Sequence, residues 1–174
     1  MDITIRHGMP ADVRLLADLA ASTFRETFAA ENRPEDMALH VSRAYGVSQQ
    51  EAELANPEIT TLLAEVDGQL AGYAQLRASA VPDSVVGSTP LEVWRFYVAA
   101  PWHGRGVAHA LMKGVEMEAQ AQEVYTLWLG VWERNERAKS FYRKCGFADV
   151  GSQVFVLGTD AQTDRIMVRL LRRS

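Results

Sequence analysis

His103-Gly104-Arg105-Gly106-Val107-Ala108 is the stretch on which the reading of this chain turns. Before it lies Leu91 to Ala99 (LEVWRFYVA), dense in β-formers and ended by Pro101; after it, Val107, Ala108, Leu111, Met112, Val115 and Ala119 fall on one helical face. A strand, a glycine turn and a helix therefore follow one another. At such a turn the first N–H groups of the helix have no intrahelical partners and the helix dipole favours an anion, so a pyrophosphate could be held there. The glycines matter because a Cβ would block close approach, and Arg105 could add charge to the phosphates. A lone G-x-G also occurs at many strand-to-helix turns for conformational reasons, so the surrounding chain has to decide. Two nucleotide readings fail in place: G-x-G-x-x-G has His109 at its third glycine, and no Gly-Lys-Ser/Thr follows as a P-loop requires.

Downstream, Val124 to Val131 (VYTLWLGV) is the near-continuous apolar run of a strand covered on both faces. Asn135 is a good N-cap for a helix with Ala138, Phe141, Tyr142 and Cys145 on one face, and Gly146 stands where a C-cap glycine belongs. Two last strands, near Phe147 to Leu157 and Arg165 to Leu171, flank the turn around Gly158-Thr159-Asp160. Upstream, Ile3 and Ile5 alternate with polar residues, and from Pro10 onward Val13, Leu16, Leu19, Ala20 and Phe24 recur at helical spacing. A second helix is expected over Pro34 to Leu54, closed by Pro57, and a hairpin over Ile59 to Val66, Asp67-Gly68 and Gln69 to Leu76. The Pro- and Ser-rich segment Ser79 to Pro90 reads as a long loop and a candidate lid. The order β-α-α-β-β-β-α-β-α-β-β predicts an α+β fold in a single domain over 1–174, with a mixed sheet of about seven strands and four helices.

At 174 residues, 48% hydrophobic and 23% charged, the chain has the length and composition of one ordinary globular domain. A net charge of −4 argues against a nucleic-acid partner, which clustered Lys and Arg would normally serve. The single cysteine, Cys145, excludes an internal disulfide and a Cys-based zinc site, and on an apolar helix face it reads as core packing. The four histidines show no metal-ligand spacing with acids, so no metal is expected. The N-terminal residues lack a charged segment leading into an apolar one, and no apolar run reaches about 18 residues, so a soluble cytoplasmic chain with no membrane partner is expected.

Residues 103 to 108 resemble the coenzyme loop of the GNAT superfamily of N-acetyltransferases, Gln/Arg-x-x-Gly-x-Gly/Ala after a strand, with His103 in the first position. Histidine keeps a donor but lacks the fixed fork of an arginine. A second block is similar to the same superfamily: Asn135, Ala138, Phe141-Tyr142 and Gly146-Phe147 follow its N-x-x-A-x-x-F-Y-x-x-x-G-F pattern. Leu129 to Glu133, Gly158, Gln162, Asp164, Met167 and the segment Thr23 to Phe28 further resemble bacterial polyamine acetyltransferases of the PaiA type.

The resemblance implies acetyl-CoA as co-substrate and a small primary amine as partner, with spermidine a candidate. It places the pantetheine arm along Phe96, Tyr97 and Val98, the phosphates on His103, Gly104, Arg105, Gly106, Val107, Ala108 and His109, and a further coenzyme contact at Asn135. Tyr142 is the expected general acid for the leaving thiolate. An alkylamine with a pKa of about 10 must also lose a proton. Glu92 is the expected base, with Glu26 and Glu31 as acceptor-side acids beside Glu35 and Asp36. Some polyamine enzymes carry an acid at the position of Trp94, which this chain lacks. The readings left open are a non-catalytic acyl-CoA sensor domain, which would need no Tyr142, and an acetyltransferase for protein N-termini. A homodimer is compatible with everything above.

Overall fold

The computed structural model describes residues 1–173. Strand β1 (Ile3–His7) leads into helices α1 (Val13–Phe28), α2 (Pro34–Ala44) and α3 (Val47–Ala55), then the hairpin β2 (Ile59–Val66) and β3 (Gln69–Arg77). There follow β4 (Pro90–Val98), α4 (Val107–Ala121), β5 (Thr126–Trp132), α5 (Glu136–Lys144) and the hairpin β6 (Ala148–Leu157) and β7 (Asp160–Leu170). One seven-stranded sheet runs β1-β2-β3-β4-β5-β7-β6, parallel between β4 and β5 and antiparallel elsewhere. This is the α+β architecture that the element order predicts.

The helix count differs, five against four, because Pro34 to Leu54 is broken. Tyr45 departs from helical geometry (φ −125°, ψ 14°) and Gly46 is extended (φ −63°, ψ 154°). The break lets the Tyr45 ring drop into the core, 5.4 Å from Phe24, while Gln50 Nε2 donates to the freed carbonyl of Ala44 at 2.9 Å.

Strand periodicity assigns the two faces of the sheet. Leu62, Ala64, Val66, Ala74, Leu76 and Val93 pack with Val107, Leu111, Met112 and Val115 of α4, whereas Leu63 and Tyr73 lie with Leu16, Ala20 and Phe24 of α1. Leu16, Phe24 and Leu111 are almost wholly buried, each worth about 1.5–3 kcal/mol of apolar burial.

Two irregularities shape the middle of the sheet. First, β4 and β5 pair only at Pro90–Thr126, Leu91–Leu127 and Glu92–Trp128, and then diverge. Second, Gln75 faces Arg95 while Leu76 faces Val93, so Trp94 is an extra residue, a β-bulge that turns β4 away from its neighbour. Beneath the bulge the buried Arg95 Nη1 donates to Glu53 Oε2 at 2.6 Å and to Gln75 Oε1 at 2.8 Å. The guanidinium carbons of Arg77 and Arg95 each lie 3.7 Å from the Trp94 ring centre, which fixes that ring.

The loop after β3 is fastened down. Val85 packs on Trp128, Ile166 and Val168, Thr126 Oγ1 donates to the Ser88 carbonyl at 2.8 Å, and Thr89 Oγ1 accepts from the Tyr125 N–H at 2.9 Å. No residue from 79 to 89 borders the main cleft, so the expectation of a lid there is corrected.

Candidate active site

A cleft of about 1230 Å³ opens where β4 and β5 part and runs from the glycine turn to the ends of α1 and α2. At its first end Gly104 and Gly106 adopt left-handed geometry (φ +72° and +84°), and an added Cβ would meet nothing within 4 Å at either. Their conformation requires glycine, and packing does not. Gly106 is the N-cap of α4 and offers no capping side chain, and the first turn of α4 carries no acid. The Val107, Ala108 and His109 N–H groups are thus left for an external anion, in the manner of a helix start that binds phosphate.

His103 does not extend toward that turn. Its Nε2 lies 2.6 Å from the Val98 carbonyl, so the ring ties the turn back to the end of β4. Arg105 stays beside Trp102, 5.6 Å from its ring centre, and His109 stands edge-on to Phe141 at 5.2 Å. Along β4, Phe96 and Val98 face the α4 side with Phe141, whereas Tyr97 stacks on Tyr73 at 5.9 Å on the α1 side. The edge of β4 beyond Glu92 that faces β5 is free to bond an extended chain lying in the gap.

Asn135 caps α5, its Oδ1 accepting from the Ala138 N–H at 3.1 Å, and it also borders the cleft. Two turns on, Tyr142 reaches the cleft between Phe96, Phe141 and Phe147. Its hydroxyl makes no hydrogen bond among the described residues, and burial pushes its pKa well up, so it stays protonated as a donor must.

The profile of the Acetyltransferase (GNAT) family matches residues 16–147 of the chain. The chain belongs to the GNAT acetyltransferase family. An N-acetyltransferase from the pepI 3' region of Lactobacillus delbrueckii subsp. lactis is 35% identical over 153 residues, covering 88% of each chain. An N-acetyltransferase of Mycobacterium tuberculosis is 34% identical over 160 residues, 92% of this chain and 98% of that one. Among solved structures, the PaiA N-acetyltransferase of Thermoplasma acidophilum in complex with coenzyme A superposes with TM-score 0.78 at 23% identity, covering 98% of this chain and 100% of that one. The yncA acetyltransferase of Salmonella typhimurium with acetyl-CoA superposes with TM-score 0.71 at 20% identity, covering 99% and 95%. GNAT enzymes are N-acetyltransferases that take their acyl group from acetyl-CoA, and the open glycine turn, the bare helix start and the unpaired β4 edge suit that coenzyme's phosphates and arm.

The acids of this GNAT cleft are arranged otherwise than the sequence suggests. Glu92, the expected base, lines it, and its Oε2 accepts from Arg77 Nε and from Ser79 Oγ, both at 2.7 Å. Glu26 lines it too and accepts from the Ala100 N–H at 3.2 Å. Glu31 does not: it sits by a separate shallow depression, 3.8 Å from Arg134. Glu35 lies 3.8 Å from Arg33, and Asp36 is consumed by the Thr159 N–H and hydroxyl at 2.8 and 2.7 Å, which lower its pKa.

In their place the fold brings Asp164, Gln153 and Trp132 to the cleft. In the sequence Asp164 is one of the PaiA-like residues and an acid in phase with Ile166 and Val168, a polar residue on an apolar strand face. Burial, with a smaller push from Glu133, raises its carboxyl pKa to about 6. Cys145, half-buried and with its thiol pushed up by burial, stays out of the site. No group of three or more His, Cys, Asp or Glu among the described residues could hold a metal, and no described helix is long and apolar enough to cross a membrane.

Proposed function

We propose that this GNAT acetyltransferase moves acetyl from acetyl-CoA to a small primary amine by direct attack, with both substrates bound together. The observation that carries the reading is the continuous opening from the glycine turn, along the free β4 edge, to Tyr142 and on to the α1–α2 side. Both substrates fit in line along it, which supplies the alignment that acyl transfer needs. In this reading the α4 start and Arg105 hold the phosphates, the backbone of Phe96 to Val98 and the Asn135 amide hold the arm, and Tyr142 protonates the departing sulfur. An unbonded phenol bordering the cleft gives an enzyme the proton donor that a passive acyl-CoA sensor would not need.

The expectation of a polyamine acceptor such as spermidine rests on the PaiA-like residues, the net charge of −4 and the acids Glu26, Glu31, Glu35 and Asp36. Only Glu26 of the four lines the cleft, which also carries Arg43, Arg77 and Arg95. A polycation would therefore meet a mixed surface, and the acceptor class is best stated as a small primary amine, with protein N-termini as the second arm of the test. The test is thiol release from acetyl-CoA with spermidine, L-lysine, tyramine, an aminoglycoside and an alanine-initiated peptide. Turnover with at least one amine is expected; tight acetyl-CoA binding with no thiol release would favour the sensor.

A further inference from the structure

Three aligned side chains line the acceptor side of the cleft. Trp132, Asp164 and Gln153 are lateral neighbours across β5, β7 and β6 and share a face of the sheet. The next residue of β5 on that face is Gly130, which has no side chain. A Cβ placed on it would come within 2.6 Å of Gln153 Nε2 and 3.1 Å of Asp164 Oδ2, so these two polar groups close over Gly130 and fill the space a side chain would take. Gly130 is also the second residue beyond Trp128, the last of β5 to pair with β4, so this cluster lies beside the start of the gap.

The two faces of the gap carry different chemistry. Tyr142 belongs to the core on the α4 side together with Leu129 and Val131, the residues that alternate with Gly130. Asp164 stands on the opposite face with Trp132. A thioester lying in the gap would thus have a phenol on one side and a carboxylate on the other. Of the three cleft acids, Glu92 is engaged by Arg77 and Ser79 and Glu26 by the Ala100 N–H, whereas the Asp164 carboxylate makes no hydrogen bond among the described residues.

Resting on the acetyltransferase reading above, we propose that the acceptor amine sits in the cleft against Gln153 and Asp164, above Gly130, and that the Asp164 carboxylate takes its proton. In the step the amine nitrogen bonds to the thioester carbon and the carbon–sulfur bond breaks. Sulfur receives the Tyr142 proton, and the proton lost by nitrogen passes to Asp164 as the new bond makes that nitrogen acidic. The deprotonated phenol and protonated carboxyl are then restored by exchange with water, so the cycle closes without another reactant. A carboxyl of pKa about 6 is ionised at neutral pH and close enough to it to act as a base. The nearby titratable groups are Glu133, at the end of β5, and His40, edge-on to Phe155 and with its own pKa lowered by burial and by Arg95.

The test compares the wild type with Asp164→Asn and Gly130→Ala, using acetyl-CoA with each of spermidine, L-lysine, tyramine and the alanine-initiated peptide. Asp164→Asn is expected to lower kcat/KM roughly a hundred- to a thousandfold and to abolish an inflection near pH 6, leaving acetyl-CoA Kd within about twofold. Gly130→Ala meets the flexible end of Gln153, so it should fold, raise the amine KM about tenfold or more and spare acetyl-CoA binding. Should Asp164→Asn fold poorly, the KM split in Gly130→Ala carries the test. A wild type that turns over while Asp164→Asn keeps both its rate and the inflection, or while folded Gly130→Ala keeps its amine KM, overturns this inference alone. A wild type that neither binds acetyl-CoA nor releases thiol with any of these amines overturns the acetyltransferase reading and this inference with it.

Discussion

Replacing Asp164 by Asn should stabilise the protein at neutral pH. The carboxyl is less than a tenth exposed, and its pKa rises from the ordinary 3.8 to about 6. That difference corresponds to roughly 3 kcal/mol of strain when the group is ionised. The sign follows from proton counting. Between about pH 4 and pH 6 the native state holds a proton on Asp164 that the unfolded state has released, so stability falls as pH rises through this window and the full loss is present above it. Asparagine has nearly the same shape and nothing to ionise. The variant should gain little at pH 4 and up to roughly 3 kcal/mol at pH 7.5, about 6–12 °C in Tm for a chain of this size. Paired thermal melts at the two pH values provide the assay, because titrations common to both proteins cancel in the difference. Equal Tm changes at both pH values, or a loss at pH 7.5, would show that the carboxylate is held comfortably in the fold and would refute the reasoning.

Gly106→Ala should cost about 1–2 kcal/mol through its left-handed backbone and also raise acetyl-CoA Kd about tenfold. Gly68→Ala, at φ +80° with equally open surroundings in the β2–β3 turn, should lose stability alone, and a matching Kd change there would sink the role of the α4 start. Tyr142→Phe should reduce turnover about ten- to a thousandfold with acetyl-CoA affinity kept, and an unchanged turnover number in single-turnover measurements would remove Tyr142 from the chemistry. The scattered acids predict no large salt-sensitive preference for spermidine over a monoamine of similar length. A strong preference at low salt that disappears at high salt would restore the polyamine reading.

The parts of the fold read most easily in the sequence were those fixed by local chemistry. The N-cap at Asn135, the left-handed Gly106 and Gly146 and the apolar run of β5 each announce themselves within a few residues. Periodicity did not reveal the break at Tyr45, since Gly46 has an ordinary φ and the Tyr45 ring leaves the helical line to join a core set up by distant residues. The site acids were harder still. Glu92 looks free until register places Arg77 directly across from it, and Asp36 looks like a first-turn acid until Thr159 arrives from the last hairpin. Asp164 acquires its raised pKa mainly from burial beside Gly130 and Trp132, with a smaller push from Glu133, which no single segment encodes.

The three-rung contact between β4 and β5 makes this sheet two panels joined by a short hinge. Strands β1 to β4 form one panel and β5 to β7 the other, with few backbone bonds holding them edge to edge. A coenzyme arm bonded along the β4 edge would serve as a stitch across that seam, made from a molecule the enzyme consumes at each turnover. Breathing of the seam, visible as fast amide exchange along residues 93–98, should be quieted by the donor and return as the spent thiol departs. The catalytic cycle and the mechanical cohesion of the protein would then rise and fall together.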